Sequence, residues 1–198
     1  TCQYVGVGEG ALVVVEKGAK WFEVPLAAHP EGFQLETKGE RIFVNVPDAA
    51  HVAVIDRAKR EVVATWEVRD AKANYPMALD EERGRVLVGC RAPPRLLALD
   101  MADGRVQASV EISGDVDDLY VDPKSRRVYA SCGEGFLDVL APEGTSGYRR
   151  IARVPTAPGA RTCLLDAKGG RLFVALPAHN GKPAEIRVYR TAPPPPRD

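Results

Sequence analysis

Several kinds of site chemistry are missing from this sequence. Its four cysteines, Cys2, Cys90, Cys132 and Cys163, form no C-x-x-C pair and no C-x-x-C-H haem-attachment motif. No G-x-S-x-G nucleophile elbow occurs. Neither sign of charge is in excess: 27 basic residues face 27 acidic ones. That balance provides no basic field to draw in nucleic acid or an anionic membrane surface. No apolar run approaches the roughly 20 residues that span a bilayer, so no membrane insertion is expected. No apolar pattern of period 3.6 runs long enough to predict a helix. The even cysteine count leaves disulfides open; the simpler reading is buried thiols acting as small hydrophobes.

What is present is a repeat. Four segments align without gaps: ETKGERIFVNV from Glu36, DEERGRVLVGC from Asp80, DPKSRRVYASC from Asp122 and DAKGGRLFVAL from Asp166. Each has an acid, four turn-forming residues, an arginine (Arg41, Arg85, Arg127, Arg171) and an apolar strand. The acids recur at intervals of 44, 42 and 44 residues. Behind each segment comes a second β-rich run: HVAVID from His51, RLLALD from Arg95, FLDVLA from Phe136 and EIRVYR from Glu185, with ALVVVE from Ala11 as an earlier copy. A third series is VVATWEV, VQASVEI and YRRIARV, preceded by WFEVPLA. A short strand leads into each acid: FQL, MAL, LYV and CLL.

Each unit therefore reads as four strands, A to D, in a meander with Gly-rich turns between them. Four strands in about 44 residues is the signature of a propeller blade. A lone blade buries neither face, whereas blades stacked around an axis bury both. The expected fold is all-β: a β-propeller of four-stranded antiparallel blades over residues 1–192, with about four and a half blades present. The units are a partial blade at 2–32, blades at 33–75, 76–118 and 119–162, a partial blade at 163–191, and a Pro-rich tail at 192–198. The first unit lacks strand A and the last lacks strand D, so further upstream blades of the same chain are expected. The acid and arginine flanking each A–B turn are placed to pair across the hairpin. An exposed pair contributes only about 0–1 kcal/mol, so they read as turn geometry and solubility.

The pattern Asp-x-x-x-x-Arg-(Ile/Leu/Val)-(Phe/Tyr/Leu)-Val, followed by Val-x-Val-(Ile/Leu)-Asp, resembles the YVTN-type β-propeller repeats. These belong to the broader group of cytochrome d1-like and quinoprotein-like propellers. The resemblance covers nearly the whole chain. It implies a seven-bladed ring, a bacterial or archaeal source and a periplasmic or surface location. It implies no activity, because the haem and quinone ligands of the enzymatic relatives are not recognisable here.

In a propeller the D-to-A connections enter the central channel at one mouth. Five residues before each acid stand Glu31, Tyr75, Asp117 and Arg161; four before stand Gly32, Pro76, Asp118 and Thr162. His29 and Asn74 lie just upstream. Structural positions repeat in kind and these do not, as expected where a ligand needs different groups from different sides. Loop variation produces the same appearance. The candidate ligand-binding residues are thus His29, Glu31, Asn74, Tyr75, Asp117, Asp118, Arg161 and Thr162, with no catalytic residue assigned. The histidines His29, His51 and His179 fall in non-equivalent parts of the repeat, which argues against a shared metal site. The longer B–C loop around His179 is a candidate contact surface. Gly8-Glu9-Gly10 and Gly133-Glu134-Gly135 sit at matching B–C turns and read as structural. Trp21 and Trp66, on strand D, read as covers for the blade edge.

Three functions follow in order. The first is a non-catalytic binding or scaffold module that presents loops and a channel mouth to a protein or small ligand, with no cofactor. The second is a calcium-assisted enzyme of the lactonase or lyase kind, with oxygen ligands from Glu31, Asn74 and Asp117 or Asp118. The third, by analogy of fold alone, is a propeller associated with electron transfer.

Overall fold

The computed structural model describes residues 2–191; the Pro-rich tail expected at 192–198 lies outside the described residues. Eighteen strands form five antiparallel sheets in chain order. The first sheet holds β1 (Cys2–Val7), β2 (Ala11–Glu16) and β3 (Ala19–Pro25). The second holds β4 (Phe33–Leu35), β5 (Arg41–Val46), β6 (His51–Asp56) and β7 (Glu61–Glu67). The third holds β8 (Lys72–Asp80), β9 (Arg85–Ala92), β10 (Pro94–Asp100) and β11 (Val106–Glu111). The fourth holds β12 (Val116–Val121), β13 (Val128–Cys132), β14 (Phe136–Glu143) and β15 (Gly147–Pro155). The fifth holds β16 (Thr162–Asp166), β17 (Arg171–Leu176) and β18 (Glu185–Arg190). Each strand pairs with its sequence neighbour within the sheet. The helical exception among the described residues is one 3-10 turn, Pro47–Ala49.

The period-2 alternation of each strand splits its side chains between two faces, and both faces are used. Four apolar cores result, each lying between successive sheets. Phe43, Val52 and Val54 of the second sheet meet Val86, Val88 and Leu97 of the third. Leu87, Leu96 and Ala98 of the third meet Val128, Ala130 and Leu140 of the fourth. The same two rows recur between the first and second sheets and between the fourth and fifth. Burying one such side chain contributes about 1.5–3 kcal/mol, and a single sheet has nothing to bury it against. Trp66 belongs to the core between the second and third sheets, its ring 5.3 Å from that of Phe43. Trp21 lies on the rim, half exposed, with the Arg60 guanidinium 4.4 Å above its ring.

The acid–arginine series behaves differently in the middle of the molecule than at its ends. Glu36 and Arg41 pair across their hairpin, at 2.5 Å and 3.0 Å. Burial alone would raise the Glu36 carboxyl, but hydrogen bonds from the Arg41 side chain and backbone outweigh it and hold it below its usual range. Asp166 and Arg171 pair at 2.9 Å. Asp80 and Asp122, however, are buried rather than exposed. Asp80 takes the Arg126 guanidinium and the Tyr148 hydroxyl (2.8 Å), both from the fourth sheet, while Arg85 turns to Asp100 at 3.1 Å. Asp122 accepts from Ser125 Oγ at 2.7 Å and from the Lys124 amide at 2.9 Å. The expectation of exposed, solubilising pairs fails for Asp80 because the next sheet covers it, and a desolvated carboxylate takes whatever donors the covering sheet brings. Arg126 reaches it from a left-handed backbone, φ 62°, at the position where Gly84 and Gly170 each show 63°. A non-glycine residue there carries strain of order 1 kcal/mol or more, held in place by the ion pair.

The four thiols are free, and Cys90, Cys132 and Cys163 are buried. Desolvation pushes the Cys90 and Cys163 thiols up to about 12, which keeps them protonated and inert.

Candidate channel-face groove

Strands β4, β8, β12 and β16 are the A strands of the second to fifth sheets, and their neighbouring turns frame the channel side of the arc. Two cavities lie along it. The one at the mouth, about 280 Å³, is lined by Glu31, Gly32, Gln34, Tyr75, Pro76, Asp117, Asp118 and Tyr120. The other, about 460 Å³, lies toward the A–B turns and is lined by Gln34, Thr37, Lys38, Asp80, Glu81, Glu82, Tyr120 and Arg126, among others. Gln34, Leu119 and Tyr120 belong to both, so the two are ends of one groove crossing the second, third and fourth sheets.

The groove is shaped by contacts between sheets. The Gly32 amide donates to the Tyr75 carbonyl at 3.0 Å, and a Cβ on Gly32 would stand 2.6 Å from that same oxygen. Only glycine lets the backbones approach so closely. Asn45 Nδ2 donates to the Tyr75 and Pro76 carbonyls, each at 3.1 Å. Gln34 Nε2 donates to the Met77 carbonyl at 3.1 Å. At the far end the Thr37 amide donates to Glu81 at 2.6 Å.

At the mouth, the Arg91 guanidinium stacks 4.2 Å from the Tyr75 ring and bonds Asp117. Arg91 also lies 3.3 Å from Asp115. Arg161 of the next connection donates to both Asp115 oxygens, at 3.1 Å and 3.0 Å, and stands 3.4 Å from Asp117. Two arginines and two aspartates thus alternate across the third, fourth and fifth sheets. Asp118 turns inward and accepts the Cys163 amide of the fifth sheet at 2.7 Å. Burial raises its carboxyl pKa, the amide hydrogen bond opposes that, and neighbouring Asp117 adds to it.

Of the eight residues singled out from the sequence, Glu31, Tyr75, Asp117 and Asp118 share the mouth cavity. Arg161 joins them through the ion-pair network. His29 lies behind Glu31, 3.8 Å from its carboxylate. Thr162 opens β16, exposed and paired with Ala175. Asn74 is fully buried between sheets, donating to Asn45 Oδ1 and the His51 carbonyl, each at 3.1 Å. Among the described residues no group of three or more His, Cys, Asp or Glu side chains is placed to hold a metal ion. The sequence reading passed over Arg91, Asp115, Gln34 and Tyr120. For Gln34 and Tyr120 there was a signal: Gln34, Ala78, Tyr120 and Leu164 are middle residues of the short A strands that differ in kind. The loop around His179 closes on itself, His179 and Lys182 exchanging backbone hydrogen bonds of 3.1 Å and 3.0 Å.

No family model matches the chain. A protein from Clavibacter michiganensis subsp. michiganensis named mycothiol acetyltransferase is 31% identical over 123 residues, which is 60% of this chain and 40% of that protein. Solved structures show the fold. A chain of a mitotic checkpoint complex superposes with a TM-score of 0.77 at 14% identity, covering 93% of this chain. The WD40 β-propeller domain of Doa1 gives 0.75 at 11%, over 94% of this chain. A chain of Kuenenia stuttgartiensis hydrazine synthase gives 0.75 at 14%, over 92%. This chain spans 58%, 60% and 57% of those three. It has the β-propeller fold, as a partial ring.

Proposed function

We propose that the chain is a non-catalytic protein-interaction scaffold whose channel-face groove is the binding surface. The observation that carries this reading is a contrast within the repeat. The residues between sheets repeat in kind from blade to blade, whereas the polar positions lining the groove differ: Glu31, Tyr75 and Asp117 at one level, Gln34, Ala78 and Tyr120 at another. Rigid sheets that bring unlike groups to one concave surface suit recognition. The WD40-type likeness supports a protein occupant by analogy of fold. A photo-cross-linking residue at position 120, in the groove, tests this against the same residue at Val63 on the outer rim. A discrete adduct from position 120 that is missing from position 63 supports the reading. Equal patterns from both positions contradict it.

A second reading is calcium-assisted chemistry at the mouth, favoured by Glu31, Asp117 and Asp118 lining one cavity. Asn74 would not take part, since it is fully buried and does not line the mouth cavity, and Asp117 is already shared by two arginines. Calorimetric titration with calcium separates the two readings: saturable heat with a raised melting temperature favours the metal, and neither effect leaves the scaffold.

A further inference from the structure

The joint between the third and fourth sheets departs from the repeat, and it lies away from both end sheets. The third residue of strand C is Ala53 in the second sheet and Leu97 in the third. In the fourth sheet the same place holds Asp138, which is 0% exposed. Strand D changes with it. Arg153 stands opposite Asp138, where Thr65 and Ser109 stand opposite Ala53 and Leu97. Arg150 stands opposite Leu140, where Val62 and Val106 stand opposite Ile55 and Leu99. Three charges have together replaced uncharged residues. A buried ion pair in place of packed apolar groups is neutral at best for stability, so packing does not account for the change.

These residues surround a cavity of about 390 Å³, lined by Arg95, Glu111 and Ser113 on one side and by Glu134, Arg150 and Arg153 on the other. It shares no lining residue with the channel-face groove. Asp138 braces its wall: Oδ2 accepts the Ser113 amide at 2.6 Å and Arg150 Nη1 at 3.3 Å. Its Oδ1 is buried without a hydrogen-bond partner among the described residues. Arg153 is fixed in place, donating to Ser113 Oγ at 3.0 Å and to Glu134 at 3.1 Å, and lying 3.7 Å over the Phe136 ring. Arg95 donates to Ser109 Oγ at 3.0 Å, and although Glu111 stands opposite it across the strands, neither forms an ion pair among the described residues. Arg95 and Arg150 thus keep unspent guanidinium donors beside one cavity, the geometry that takes an oxyanion by two hydrogen bonds. The carboxylates of Glu111 and Glu134 oppose a doubly charged anion there, and that of Glu111 suits a cationic N–H donor.

We propose that this pocket binds a small amino carboxylate of the α-amino acid class, its carboxylate on Arg95 and Arg150 and its ammonium on Glu111. Calorimetric titration of the chain with each proteinogenic α-amino acid in turn, and with acetate and inorganic phosphate, is the test. At least one amino acid is expected to give saturable heat and a raised melting temperature. Acetate, which has no ammonium, and phosphate, which carries more charge, are expected to bind at least about tenfold more weakly. Arg95→Met and Glu111→Gln are each expected to keep the melting temperature and to weaken the amino acid by about tenfold or more. Asp138→Ala combined with Arg150→Val restores the second sheet's residues at those places. That variant is expected to melt no lower than the parent and to lose the binding. Absence of saturable heat with every amino acid overturns the proposal. Acetate or phosphate binding as tightly as the best amino acid, or parental affinity in the double variant, overturns it as well.

Discussion

Ile186 in the fifth sheet and Leu96 in the third occupy the same place in two copies of one repeat. Leu96 is 1% exposed and Ile186 62%. Strand, register and residue class match, and the difference is whether another of the described sheets packs on that face. The acids show the same contrast: Asp166 of the fifth sheet is solvated beside its own arginine, whereas Asp80 of the third is enclosed by Arg126 and Tyr148 of the fourth. In this architecture a residue's energetic weight depends less on its own sheet than on what stacks upon it.

That contrast can be broken by paired substitutions. Leu96→Ala is expected to lose about 2–5 kcal/mol to lost transfer energy and cavity. Ile186→Ala, measured in dilute solution, should stay within about 0.5 kcal/mol of the parent. Asp80→Ala leaves the buried Tyr148 hydroxyl without its acceptor and Arg126 with Glu82 alone, and is expected to cost about 1–3 kcal/mol. Asp166→Ala is expected to leave the urea midpoint nearly unmoved; similar shifts for both would break the comparison. Gly32→Ala forces a Cβ against the Tyr75 carbonyl and is expected to cost about 1–3 kcal/mol. Gly8→Ala meets open space and serves as the control for it.

The smallest effect is a pH dependence at the joint between the fourth and fifth sheets. The Asp118 carboxyl has a raised pKa in the folded chain, chiefly through burial. Its protonated form is therefore favoured by folding, and that contribution is full below the ordinary value of 3.8 and lost as pH rises through the raised one. Asp118→Asn keeps an acceptor for the Cys163 amide and has no proton to lose. Melting curves from acid to neutral pH should show the variant gaining on the parent as pH rises, then levelling. A gap that narrows with rising pH would contradict the assignment.

The sheets were legible because the acid, the turn and the arginine recur beside strands whose alternation names both faces. The joints were legible too, since Val52, Leu96 and Leu137 each stand second in the β-rich run that follows an arginine-led strand. The groove was legible only in part. Counting back from the acids located Glu31, Tyr75, Asp117 and Asp118, because chain connectivity alone brings the D-to-A links to the channel. It misplaced Asn74, one residue further back, where the chain dips between sheets to meet Asn45. It missed the alternation of Arg91, Asp115, Asp117 and Arg161, which joins three sheets and has no local signature. The burial of Asp80 was hidden for the same reason, its partners standing 46 and 68 residues away.

Thiol accessibility at one repeat position in four sheets tests the account most directly. Single cysteines at positions 52, 96, 137 and 186, in a Cys2→Ser background and dilute native solution, can be pulse-labelled with a maleimide. Position 186 should label as fast as in the unfolded chain, and the other three should be protected until global unfolding. Equal labelling at all four positions, or protection at 186 in dilute monomer, would mean that the sheets do not stack about an axis as described.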